Sequence, residues 1–153
     1  MLKKNGGITL IALVITIIVL LILAGVSIAM LSGDNGILNR AGTASAKNEL
    51  GAANDAVSLF VSDKVAEYYE KSYVTNEISG TDKNLDAYLA EQVTASNLAT
   101  TVDNKNIPES NITVTSTATS ITKIEMTITN NKGTFKSTGT VTNGKISWVI
   151  TNS

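Results

Sequence analysis

The chain has 153 residues, a formal net charge of −1, no Cys and no His. Without Cys no disulfide can hold the fold, and without either residue the commonest general base, thiol nucleophile and metal ligands are missing. Composition therefore argues against an enzyme, a metal site or a cofactor, and the near-neutral charge offers no basic footprint for nucleic acid.

Residues 1–7 read MLKKNGG, with Lys3 and Lys4 ahead of two glycines. Taken alone, Gly6-Gly7 reads as a flexible junction. The stretch Ile8–Leu31 follows: 24 residues without a charge, sixteen of them Leu, Ile or Val. As a helix rising about 1.5 Å per residue it would span roughly 36 Å, more than a bilayer's hydrocarbon. Its insertion is worth on the order of 5–10 kcal/mol. Thr9, Thr16 and Ser27 do not reverse that, because a hydroxyl can bond back to its own helix. Lipid also enforces the helix, since an unpaired amide in hydrocarbon is too costly. Positive charge before the run and none directly after it places the N-terminus in the cytoplasm, with everything from Asp34 onward outside.

These residues carry a family resemblance. Lys3-Lys4-Asn5-Gly6-Gly7, then Ile8-Thr9-Leu10-Ile11 and a long apolar helix, resembles the prepilin N-terminus of type IV pilins and type II secretion pseudopilins, over roughly residues 1–40. The resemblance implies a leader, 1–7, removed by a prepilin peptidase between Gly7 and Ile8, and N-methylation of Ile8. It implies a membrane-spanning and polymerisation helix over 8–33. The residues involved are Ile8, Thr9, Leu10, Ile11, Ala12, Leu13, Val14, Ile15, Ile18, Leu21, Ile22 and Gly25. It also implies a head over 34–153, the chain itself and the pilus assembly machinery as partners, and passage from the cytoplasmic membrane to a cell-surface filament. Two positions depart from the family pattern. Ile8 stands where a methylated Phe usually begins the mature chain. Ala12 stands where family members usually carry a Glu thought to pair with a neighbour's N-terminal amine. Ala12 offers no carboxylate for that pairing. Two other readings compete with this one. A secretory signal would have an apolar core of 7–15 residues, shorter than this run, although Ser27-Ile28-Ala29 is a passable cleavage site. A plain uncleaved anchor needs only the apolar run.

Ser32-Gly33-Asp34-Asn35-Gly36 reads as a break, either the exit from the membrane or a hinge at Gly33 and Gly36. It lacks the ligand spacing of a calcium loop. Over 43–72 helical periodicity resumes. Leu50, Ala53, Val57, Phe60, Val61, Val65 and Tyr68 form one apolar stripe. Lys47, Glu49, Asp55, Asp63, Glu67 and Lys71 lie mostly off it as a solvated face, with Glu67 and Lys71 a favourable i,i+4 pair. Residues 73–110 read as a variable loop region holding one short helix around Leu85, Tyr88, Leu89 and Val93, capped by Asp82 or Asn84.

From Asn111 the period becomes two. Strands are expected near 111–118, 121–129, 134–142 and 145–151, with turns at Asn130-Asn131-Lys132-Gly133 and Asn143-Gly144. Asn-Gly between alternating strands is a strong hairpin signal, because both residues tolerate positive φ. The meander over 111–153 has one apolar face, and the 43–72 stripe is its nearest cover. The expected fold is α+β: a long N-terminal helix, apolar then amphipathic, packed against a small C-terminal antiparallel sheet. The expected function is structural, as a subunit of a type IV pilus-like filament. The alternatives are a minor pseudopilin of a secretion or DNA-uptake machine, and a membrane-anchored binding domain that does not polymerise.

Overall fold

The computed structural model describes residues 6–33, 36–78, 84–117 and 119–152, with side chains from Leu10 onward. The leader residues 1–5, the break residues Asp34 and Asn35, and Asp82 lie outside the described residues. The chain divides after Thr43 into two units. The layout is α+β, as the periodicities require: a long N-terminal helix, interrupted around Gly33 and Gly36, whose later part packs on a four-stranded antiparallel sheet.

In the first unit α1 runs Gly6–Ser32. It begins within the two glycines that read as a flexible junction. Gly33 closes it, donating its N–H to Ala29 O at 2.9 Å, and Gly36 donates to Gly33 O at 2.7 Å. Both positions require glycine by close approach. A Cβ at Gly33 would lie 2.7 Å from Ala29 O, and one at Gly36 would lie 2.6 Å from Leu31 O.

Helix α2 runs Ile37–Tyr69, starting six residues before the expected 43. The early start carries little apolar patterning, which is why periodicity missed it. Beyond Thr43 the expected stripe is the core face. Leu50, Ala53, Val57, Val61 and Tyr68 are buried, and Phe60 and Val65 are partly buried. One turn of π-helix, Glu70–Val74, extends the helix end.

The 73–110 region holds more structure than its composition suggests. The expected short helix is α3 (Leu85–Gln92), and its cap is Asn84, whose side chain accepts from Asp86 N–H. A second helix, α4 (Ala95–Val102), stands where the composition predicts loop. Thr94 caps it by accepting from Asn97 N–H, and Leu98 is its buried anchor. Eight residues with one fully buried side chain are too short for periodicity to separate from loop. A single 3₁₀ turn, Glu109–Asn111, follows Pro108.

The sheet is a meander in chain order: β1 (Ile112–Thr117), β2 (Ser120–Asn130), β3 (Gly133–Thr142) and β4 (Lys145–Asn152). Every strand lies within about two residues of its expected span. The Asn143-Gly144 turn has φ of 50° and 73°, the doubly positive geometry that matches strand twist. At the other turn Gly133 alone takes positive φ, 128°, and Asn130 Oδ1 accepts from Lys132 N–H. Between β1 and β2 the register shifts: Thr115 faces Lys123 but Ser116 faces Ile121. Thr122 is thereby an extra residue, and its hydroxyl donates to Thr115 O at 3.1 Å. The bulge turns Ile121 to the same buried side as Ile124, Met126 and Ile128, which strict alternation would forbid.

Candidate functional site

The candidate site is the surface of α1. Its 27 residues make a rod of about 40 Å at 1.5 Å per residue, longer than the roughly 30 Å of hydrocarbon in a bilayer. It is the one segment among the described residues long and apolar enough to cross a membrane, and none of its apolar window is buried. Exposure of its large apolar side chains runs from 46% at Val14 to 70% at Met30. Among the described side chains, residues 10–32, every one is exposed. Thr16 Oγ1 donates to Leu13 O and Ser27 Oγ to Leu23 O, each at 2.8 Å, so both hydroxyls are satisfied inside the helix as expected. No acidic side chain lies in the first turn and no basic one in the last, so the ends of the dipole are uncompensated by charge.

Of the expected polymerisation residues, Leu10, Ile11, Ala12, Leu13, Val14, Ile15, Ile18, Leu21, Ile22 and Gly25 stand on this exposed rod. Nothing lies within 4 Å of where a Gly25 Cβ would be, so its backbone is open to close approach. Gly7, Ile8 and Thr9 have helical backbone; their side chains are outside the described set. The Gly7–Ile8 bond therefore sits in the first turn of α1. Two glycines make that turn cheap to unwind, at about 1 kcal/mol each relative to Ala.

The second unit offers chemistry of a different kind. Glu67 accepts from Lys64 Nζ and from Lys71 Nζ, both at 2.6 Å. Those two ammonium groups hold its carboxyl down to about 2, outweighing partial burial. On the outer sheet face Glu125 bridges Lys136 at 2.6 Å and Lys123 at 3.2 Å, and Lys136 is the main cause of its lowered pKa. Glu49 departs from the solvated-face reading. It accepts from Asn106 Nδ2 at 2.8 Å and Asn104 Nδ2 at 3.3 Å, tying α2 to the segment after α4, and Asn106 leads the lowering of its pKa. Glu49 and Glu125 each tie one segment to another, whereas Glu67 braces the end of its own helix. Among the described residues no group of three His, Cys, Asp or Glu side chains is placed to hold a metal ion.

Sequence reasoning missed two helix–sheet hydrogen bonds of the second unit. Ser137 Oγ donates to Asn54 Oδ1 at 2.7 Å, and Trp148 Nε1 donates to Ser58 Oγ at 2.8 Å. The only available signal was Asn54 and Ser58, four apart on one side of α2 beside the apolar stripe. Comparison with protein-family models, with curated proteins and with solved structures found no match to this chain.

Proposed function

We propose that this chain is the structural subunit of a type IV pilus-like filament. It enters the membrane as a precursor with Lys3 and Lys4 inside, is cut between Gly7 and Ile8, and polymerises through α1. One observation carries the reading: an uncharged apolar stretch, Ile8–Leu31, with every described side chain from Leu10 onward exposed, directly follows Lys-Lys-Asn-Gly-Gly. Such a surface is stable in lipid. Removing it costs on the order of 5–10 kcal/mol per subunit unless the same surface is buried again. A bundle of identical helices reburies it, and Ala12, Ala24, Gly25 and Ala29 let backbones approach. Loss of Lys3 and Lys4 takes the net charge from −1 to −3, which makes the fibre mildly acidic.

The test is mass spectrometry of sheared surface fibres. The expected N-terminus is Ile8, carrying a methyl group. Intact Met1 in isolated fibres refutes the processing step. A second reading, a minor pseudopilin, is favoured by Ala12 at the position where a carboxylate would register subunits. Abundance separates the two, because a major subunit dominates sheared material and a minor one is scarce there.

A further inference from the structure

The sheet has two edges, and they are built differently. β1 is six residues long, and its exposed positions, Thr113, Thr115, Ser116 and Thr117, are all polar. Short strands are one way proteins blunt an edge against pairing. β4 is longer and carries one large apolar side chain, Val149, among its exposed positions. It is eight residues of Lys-Ile-Ser-Trp-Val-Ile-Thr-Asn with no proline and one charge, at its start, and among the described residues its only strand partner is β3.

The turn dictates which backbone groups of β4 are free. A two-residue hairpin closes on a hydrogen-bonded pair, here Thr142 with Lys145. Alternate residues follow, so Ser147, Val149 and Thr151 bond to β3, while Ile146, Trp148, Ile150 and Asn152 turn their N–H and C=O to the open edge. On the outer sheet face Val149 is 60% exposed, amid Thr, Ser and Lys neighbours.

We propose that β4 is a self-pairing edge, which joins two copies of this chain antiparallel about a two-fold axis at Val149. Three features select a second copy's β4 as the occupant. In this register Trp148 faces Ile150 of the second copy and Ile146 faces Asn152, so the free-edge residues of one copy meet those of the other. Val149 meets Val149 at a non-hydrogen-bonded position, where Cα atoms approach to about 4.5 Å and side chains pack closest. Lys145, the lone charge, falls at the two outer ends of the paired segment, so no like charges oppose. β1, six residues against eight and without an exposed large apolar side chain, is the poorer competitor. A two-fold contact opposes the two molecules, so it runs between filaments or between separate molecules, not along a bundle of parallel helices. It stands whether or not the chain polymerises through α1. One strand pair buries little area, so the contact is weak singly and strengthened by repetition.

The chain has no native Cys, so single cysteines report register directly. Full-length Val149→Cys protein in detergent, oxidised and run without reductant, should give a reducible dimer about tenfold stronger than Thr115→Cys on β1, because the paired separation suits a disulfide. Ser147→Cys mixed with Thr151→Cys should give a heterodimer, while neither does so alone. Adding Val149→Lys to both, which alters only an exposed side chain, should remove that heterodimer. Equal cross-linking at Val149 and Thr115 overturns the proposal. So does a Ser147→Cys homodimer as strong as the mixed pair.

Discussion

Ser137 Oγ donates to Asn54 Oδ1 across 2.7 Å, joining the middle of β3 to the middle of α2 inside the apolar core. Asn54 is 6% exposed and Ser137 is fully buried. A hydrogen bond buried there strengthens in the low local dielectric, and it fixes how far the helix can slide along the sheet.

Breaking one half of this pair strands the other. Ser137→Ala should cost about 1–3 kcal/mol, because Asn54 Oδ1 is left buried without its donor. Asn54→Leu combined with Ser137→Ala should recover most of the loss, since no polar group is then stranded. Urea denaturation followed by the fluorescence of Trp148 checks both. Equal losses in the single and double variants would show that the pair contributes shape alone.

Trp148 depends on a glycine across the strand. A Cβ at Gly139 would lie 2.6 Å from the Trp148 ring and 2.8 Å from Ile146 Cγ2. Gly139→Val should therefore displace the ring, break its bond to Ser58 and cost on the order of 1–3 kcal/mol. Trp148 is the only tryptophan, so its emission reports the site alone. A red shift is expected, and an unshifted spectrum would mean the ring has not moved.

Acid should loosen the end of α2. Glu67 is held down to about 2 in the folded chain by Lys64 and Lys71, whereas unfolded it titrates near its ordinary value of 4.5. A depressed folded pKa means the contribution is fully present above about pH 4.5 and is lost as pH falls toward about 2. The group is partly exposed, so its worth is no more than about 1 kcal/mol. Glu67→Gln should flatten that portion of the stability–pH curve and leave the curve between about pH 6 and pH 10 parallel to wild type. The raised pKa values of Lys64 and Lys71 act oppositely, with stability present at neutral pH and lost above their ordinary 10.5.

The apolar rod should not tolerate charge. Leu21 is 67% exposed near the middle of α1, where an added Lys costs about 2.5–3.5 kcal/mol of insertion. Leu21→Lys should weaken insertion without abolishing it, raising the carbonate-extractable share of the chain, and under the proposed filament reading should lower fibre yield by placing a charge in the helix bundle. Under the proposed processing, Gly7→Val should leave insertion intact but stop cleavage, since it changes only the residue before the proposed cut. If Gly7→Val material still shows a mature Ile8, the cleavage assignment is wrong.

Much of the molecule is legible in one dimension. Lipid solubility of Ile8–Leu31 follows from sixteen Leu, Ile and Val in 24 uncharged residues, a sum over side chains that needs no neighbours. The core stripe of α2 and the four strands follow from periods of 3.6 and 2, and the β3–β4 turn from Asn143-Gly144. These are local signals, set by which residues lie on one face or tolerate positive φ. Three-dimensional packing decided the rest. Thr122 became a bulge so that Ile121 could join Ile124 in the core. Helix α4 exists because Leu98 has a core to enter. Ser137 and Gly139 acquire their roles only opposite Asn54 and Trp148, 83 residues and one strand away respectively. A hydrogen bond or a steric fit between distant segments has no period, so only the folded chain specifies it.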